Sequence, residues 1–406
     1  PFDTSYPEFL PAKAGFKEAV QYMQESLGIK IVPYINGRIF DMNAQVFDPV
    51  ATVAARTARA APRISPKNLA PPVEQYGSQQ MFNIMCPTQL YWQNIIVNLV
   101  NRLTNEYRVN GVYIDQIAAA GPITCHARNH NHTLGGGNFW VKGYNQLIDA
   151  ATSVKANNTL LITESNAEPY MGNIGGYLVV GSLYYSCQTV PAFAAIYGGY
   201  QISLGRIFFK SDLQEEDGLA FSFKMAQMFV NGMQLGWFSL GGELGVYELL
   251  MNKTNSPLID YVTSLSNYRL FASPYLVHGH MMRDLKLGNL HDSVTFSGKK
   301  AFTGGCTFKL VQASAWQSLE GKGMETVFFL TNFHTRIAQN NVEMVFDAVK
   351  DYKMVPLEAS EYYELAVVDA STGKRTIINK FFTSQIKEQF DFKPLTVQML
   401  SLIKRN

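Results

Sequence analysis

Val109-Asn110-Gly111-Val112-Tyr113-Ile114-Asp115 is a short run of β-branched and aromatic residues that ends on an acid, and Leu160-Leu161-Ile162-Thr163-Glu164 repeats the pattern further along. A helical periodicity precedes each, over 92–107 and about 139–155. Upstream, Phe16, Val20, Met23 and Leu27 set a helix over 14–28 that stops at Gly28, and the β-branched run 29–36 follows at once. Helices alternating with continuously apolar strands predict a parallel sheet covered on both faces, and the length favours closure into a (β/α)8 TIM-type barrel. Further strands are expected at 177–180, 206–209 and 235–240, with a helix over 217–231.

From about residue 276 the texture changes. Runs at 293–296, 306–312, 326–331, 362–369, 376–378 and 395–403 read as short strands between Gly, Asn and Asp turns, with no long helical pattern among them. The expected organisation is therefore an α/β barrel over 1–275 and an antiparallel β-sandwich over 276–406. A chain of 406 residues has room for both, and 47% apolar with 13% aromatic residues supplies large cores and aromatic-lined clefts.

A formal net charge of +2, with neither sign gathered into runs, argues against nucleic acid or a membrane surface as partner. There is no apolar run long enough for a membrane span. Cys86, Cys125, Cys187 and Cys306 form no CxxC pair, and zero, one or two disulfides are compatible with their spacing. Sequons at Asn131, Asn157 and Asn252, together with a chain that opens without Met, fit an extracellular or secretory and lysosomal lumenal setting. No cofactor motif is present.

In a barrel the functional side chains gather at the carboxyl ends of the strands. Here those ends are polar: Asn36 with Arg38 and Asp41, Asp115 with Gln116, and Glu164 with Asn166 and Glu168. An isolated strand-end Asp is more often a cap or turn residue. Two acids on successive strand ends shift the balance to chemistry, because glycosidic cleavage uses one carboxylate at the anomeric carbon and one protonated carboxyl at the leaving oxygen. Glu168 is a rival to Glu164 as proton donor, but Glu164 terminates the strand itself, where geometry is held most rigidly.

Tyr113 shares a face of its strand with Asp115 and is the aromatic best placed to meet a sugar, with Tyr34, Trp140, Tyr170 and Trp237 as further rim candidates. The loop after Asp115 holds His126, His130 and His132. As metal ligands these lack a carboxylate between them, so the reading adopted is a metal-free site in which His130 and His132 bind sugar hydroxyls beside Asn36, Arg38 and Gln116. Cys86-Pro87 reads as a strand-end turn.

Through Tyr34-Ile35-Asn36, Met85-Cys86-Pro87, Gly111-Val112-Tyr113-Ile114-Asp115-Gln116-Ile117, His130-Asn131-His132-Thr133-Leu134-Gly135-Gly136-Gly137 and Thr163-Glu164-Ser165-Asn166-Ala167-Glu168-Pro169-Tyr170, in that order, the chain resembles a group of glycoside-hydrolase-like (β/α)-barrel domains, DUF6259-like. These are distantly similar to alpha-galactosidase and endo-alpha-N-acetylgalactosaminidase barrels. The resemblance covers about residues 1–275. It implies a retaining hydrolase of alpha-linked sugars in a glycan or polysaccharide, with Asp115 as nucleophile and Glu164 as acid/base. It also implies that a segment before Pro1, or a partner chain, completes the barrel. The alternative is a non-catalytic structural or carbohydrate-binding protein built on the same scaffold.

Overall fold

A computed structural model describes residues 3–58, 72–76, 80–179, 191–205, 207–236, 255–296 and 306–406. The chain divides into two compact units, Pro1–Leu178 and Val179–Asn406.

The first unit carries α1 (Phe16–Glu25), β1 (Tyr34–Asn36), β2 (Ile39–Asp41), α2 (Ala51–Ala55), β3 (Val73–Glu74), β4 (Phe82–Ile84), α3 (Leu90–Asn101), β5 (Gly111–Asp115), α4 (Phe139–Val154), β6 (Leu160–Glu164) and β7 (Gly176–Leu178). Strands β1, β5, β6 and β7 lie side by side and parallel, with Asn36 beside Asp115, Tyr113 beside Ile162 and Glu164 beside Leu178. Strands β2, β4 and β3 form a small antiparallel sheet that the sequence pattern did not announce.

Helix α4 forms because Phe139, Trp140, Tyr144, Leu147, Ile148 and Ala151 recur at helical spacing, and all are buried. In α3 the buried set is Trp92, Gln93, Ile96, Leu99 and Val100. The expected helix over 92–107 is regular only to Asn101 and finishes in a π-turn, Arg102–Glu106, tied by an Arg102–Glu106 ion pair at 2.8 Å. Both helices hold the backbone beyond β1, since Trp92 Nε1 and Tyr144 Oη donate to Gly37 O at 3.0 and 3.3 Å. Strands β5 and β6 approach so closely that a Cβ on Gly111 would lie 2.5 Å from Leu160 O, which is why the strand can open only on glycine.

The second unit carries α5 (Ala192–Tyr197), β8 (Ile202–Leu204), α6 (Lys210–Gln214), α7 (Leu219–Val230), α8 (Ser256–Phe271), α9 (Ser273–Leu276), β9 (Gly279–Met281), β10 (Leu287–Gly288), β11 (Ser293–Phe296), β12 (Cys306–Lys309), β13 (Val311–Ser318), β14 (Glu325–Asn332), β15 (Gln339–Asp347), α10 (Ala348–Tyr352), β16 (Tyr362–Val368), β17 (Arg375–Phe381), β18 (Gln385–Phe392) and β19 (Thr396–Arg405). Parallel pairing appears at its start: Val179 N donates to Leu204 O, and Leu204 bridges Gln234 in parallel.

An antiparallel sheet follows in the order β17-β16-β19-β14-β13-β9, and a second in the order β10-β15-β18. Strand β14 is buried on both faces. Val327 and Phe329 join a core with Phe221, Phe223 and Phe229 of α7, while Phe328 and Leu330 join another with Val342, Met344, Phe346 and Ile386 of the second sheet. That double cover explains its unbroken apolar run.

Of the strand expected at 206–209, residue 206 lies outside the described residues and the rest is not a strand. Residues 207–209 are irregular, and Phe208 is buried because it packs on Phe221 at 5.1 Å, whereas the strand of this region is β8. Leu235 and Gly236 are irregular, and the rest of the expected strand over 235–240, with Trp237, lies outside the described residues.

Candidate active site

The ends of β1, β5 and β6 bring a connected polar group together. Both acids are followed by a residue in the left-handed region, Gln116 (φ 63°) after Asp115 and Ser165 (φ 62°) after Glu164. The first of these turns the Gln116 N–H back to donate to Asp115 Oδ1 at 2.8 Å. The second lets Ser165 N donate to Leu178 O at 2.8 Å.

Tyr113 Oη lies 3.4 Å from Asp115 Oδ1 and 3.2 Å from Glu164 Oε2, so one phenol spans both acids. Tyr34 Oη donates to Asp115 Oδ2 at 3.1 Å and lies 3.3 Å from Asp3 Oδ2. Asn36 Nδ2 donates to Tyr34 Oη and to Gln116 Oε1, each at 3.0 Å, while Asn36 Oδ1 accepts from Arg38 N and Ile39 N. Burial pushes both phenols well above the ordinary tyrosine range, so Tyr34 and Tyr113 remain donors at any working pH.

Three carboxyls therefore meet around two tyrosines. Glu164 is pushed up to about 7, first by burial, then by a hydrogen bond with Asp115 and by the Asp115 charge, against a lowering hydrogen bond from Tyr113. Asp3 is pushed up to about 6 by burial, opposed by the Tyr34 hydroxyl and reinforced by Asp115. Its Oδ1 is buried without a partner among the described residues. Like charges in a half-dry site cannot all be ionised, so protons are retained near neutrality.

The remaining expected site residues are placed differently. Arg38 is almost wholly buried, paired with Glu74 at 2.8 Å, donating to Gly121 O and lying over the Trp140 ring at 5.4 Å. Glu74 in turn accepts from Tyr76 Oη, which accepts from Gln116 Nε2, so Arg38 anchors the turn behind Asp115. Glu168 is exposed at the start of a short 3-10 turn, Glu168–Tyr170. His130 and His132 turn toward the cysteine pair Cys86 and Cys125; His126 does not join them.

Sequence reasoning missed Asp3, Glu74 and Tyr76. Asp3 carries no local signal, since it reaches the site from an irregular segment. Tyr34 was legible, because it lies two residues before Asn36 as Tyr113 lies two before Asp115.

An α/β unit with a carboxyl pair on neighbouring parallel strand ends is thus the class that fold and site define. The chain belongs to the family described as "Domain of unknown function (DUF6259)", whose model matches residues 1–208. It is 38% identical over 299 residues to "Putative glycoside hydrolase 22789" of Monosiga brevicollis, covering 69% of this chain and 25% of that protein. It is 34% identical over 286 residues to "Putative glycoside hydrolase" of Bacteroides thetaiotaomicron, covering 70% of this chain and 40% of that one. The chain thus spans a quarter to two fifths of the length of these curated relatives.

Among solved structures it shares the fold of a Paenibacillus cycloisomaltooligosaccharide glucanotransferase, with a TM-score of 0.62 at 7% identity, over 95% of this chain and 75% of that one. An alpha-N-acetylgalactosaminidase of Bifidobacterium bifidum gives a TM-score of 0.51 at 12% identity, over 82% and 46%. No helix among the described residues is long and apolar enough to cross a membrane.

Proposed function

We propose that this chain carries the active site of a retaining glycoside hydrolase acting on alpha-linked sugars of a glycan or polysaccharide. The observation that carries the proposal is the Asp115–Tyr113–Glu164 arrangement. Two carboxyls on adjacent strand ends are bridged by one tyrosine hydroxyl, and Glu164 is pushed up to about 7, so it holds its proton near neutrality. Asp115, fixed by Tyr34, Tyr113 and the Gln116 N–H, attacks the anomeric carbon. Glu164 protonates the leaving oxygen and, once ionised, takes a proton from the water that releases the sugar. A single hydroxyl bridging both acids supports the close carboxyl spacing of a retaining enzyme over the gap of roughly 6.5–9.5 Å that an inverting one uses to lodge a water.

Asp3, whose buried Oδ1 has no partner among the described residues, orients a sugar hydroxyl from the β1 side, while Asn36, itself buried with its amide fully engaged, holds Tyr34 and Gln116 in place. The tyrosine pair, with ring centroids 5.8 Å apart, gives a sugar face an apolar wall. The likeness to relatives named as glycoside hydrolases and to the alpha-N-acetylgalactosaminidase supports the hydrolase and the alpha linkage. We take the parallel sheet to be part of a (β/α)8 barrel over about 1–275, and the later antiparallel sheets to form a β-sandwich over 276–406. The exposed sequons Asn131 and Asn157 favour a secreted or lumenal protein.

A panel of p-nitrophenyl alpha-glycosides tests the reading. One member should be hydrolysed by the wild-type chain and not by Asp115→Asn. Azide should restore turnover of that substrate to Glu164→Ala, because a good leaving group needs no acid and azide replaces base-activated water. Equal turnover by the wild type and Asp115→Asn would sink the assignment.

A further inference from the structure

Behind the Asp115 turn, four side chains that the hydrolytic reading does not use converge on one point. Cys86 Sγ, Cys125 Sγ and one ring nitrogen each from His130 and His132 all lie within 4.8 Å of one another. Two of the spacings are 3.5 Å, Cys86 Sγ to His132 Nε2, and 3.4 Å, Cys125 Sγ to His130 Nδ1. In a tetrahedral zinc site, with Zn–S near 2.3 Å and Zn–N near 2.0–2.1 Å, neighbouring ligand atoms are about 3.5 Å apart. Both sulfurs and His130 are buried, and His132 is half-buried.

The outer contacts fix the chemistry of each donor. His130 Nε2 lies 2.7 Å from Ala54 O and His132 Nδ1 lies 2.8 Å from Thr133 O. A carbonyl only accepts, so each of those nitrogens carries the proton. The lone pair is left on His130 Nδ1 and His132 Nε2, the two atoms that face the sulfurs.

The scaffold is equally specific. Cys125 and Gly135 exchange backbone hydrogen bonds at 3.0 and 2.7 Å, closing the loop that holds both histidines. Gly135 sits at φ 84° with the His126 ring 3.2 Å from where a Cβ would be, so only glycine closes it there. The His132 ring stacks on Phe139, the first residue of α4, at 4.0 Å and 11°.

We propose that Cys86, Cys125, His130 and His132 form a structural Cys2His2 zinc site. All four positions are filled by protein, so the metal has no open face for chemistry, and binding releases the thiol protons to give two thiolates. Its effect is to tie the segment after β4 to the loop after β5, and so to stiffen the loop that follows Asp115. The expected mesoscopic consequence is a rim held by metal where a secreted protein would ordinarily use a disulfide.

The test is metal content, which is independent of any sugar. The full chain, purified without chelator, should hold about one zinc per molecule by mass spectrometry. A mercurial thiol reagent should release it to a zinc-sensitive dye. Cobalt added to the metal-free chain should give the visible bands of a tetrahedral site with thiolate-to-metal charge transfer. Cys125→Ser should lose the metal. His132→Ala, at the least buried ligand, should bind at least tenfold more weakly while its circular dichroism stays that of the wild type. Glu168→Gln should keep the full content. A folded wild-type chain that takes up no zinc or cobalt after reduction overturns the proposal. So does non-reducing peptide mapping that finds Cys86 joined to Cys125 in a chain purified from zinc-containing medium.

Discussion

Asp212 and Glu164 are both acids withdrawn from water, the first completely and the second by about half, and their surroundings differ in sign. Asp212 meets Lys224 Nζ at 2.7 Å, with both side chains fully buried and the ammonium over the Phe208 and Phe209 rings at 5.5 and 5.4 Å. Glu164 meets Asp115 and the Tyr113 hydroxyl, and among the described residues no cation offsets them. A paired charge holds α6 and α7 together, whereas an acid facing another acid keeps a proton it can give away. Burial alone therefore does not mark a functional acid; the sign of its neighbour does.

The sharpest way to break this contrast is at the acids of the first unit. Asp115→Asn should lower kcat/KM by at least about a thousandfold while the melting curve stays near the wild type's, as expected when a half-buried covalent nucleophile gives way to an amide of the same shape. A large drop in stability with activity surviving in the folded fraction would reverse the assignment. In the second unit the effects should exchange. Lys224→Met leaves Asp212 buried and unpaired, and should cost about 3–5 kcal/mol in urea unfolding, with turnover per folded molecule unchanged. Adding Asp212→Leu to that variant should recover most of the loss.

The pH dependence follows from Glu164, whose folded-state value of about 7 lies above the ordinary 4.5. Activity needs the protonated form and should fall as pH rises through 7, measured as the alkaline limb of the kcat/KM profile. The stability sign is the same: a raised carboxyl favours the folded state below its unfolded value, and that contribution is lost as pH rises through 7. Glu164→Gln should flatten both trends. Asp3→Asn should act mainly on KM, by roughly tenfold, through a lost hydroxyl contact. Glu168→Gln should be nearly silent, which separates Glu164 from its neighbour in the same loop.

Much of this was legible from pattern. Strand β6 runs over the residues read for it, and β5 starts two residues later than read and ends on the expected Asp115, because buried parallel strands announce themselves as apolar runs ending in polar turns. Strands β15 and β18 were not foreseen. Each places apolar residues on alternate positions among Asn, Glu, Lys and Gln, so the buried faces of Val342, Met344, Phe346 and Ile386 are diluted by an exposed polar face. Within the site, residues on strand ends were readable from register. Asp3, Glu74 and the Cys86–Cys125 pair come from segments far apart in the chain, and only the fold brings them to their partners. The spacing Cys125-x4-His130-x-His132 was itself a signal, weakened because its fourth member follows a different strand.

The measurement closest to the central claim is mass spectrometry of the chain after reaction with a fluorinated, activated alpha-glycoside of whichever sugar the panel selects. Such a reagent traps a glycosyl–enzyme ester. The account requires the label on the peptide containing Asp115, and its absence in Asp115→Asn. A label on Glu164 or elsewhere, or an inverted product with no labelled peptide at all, would contradict it.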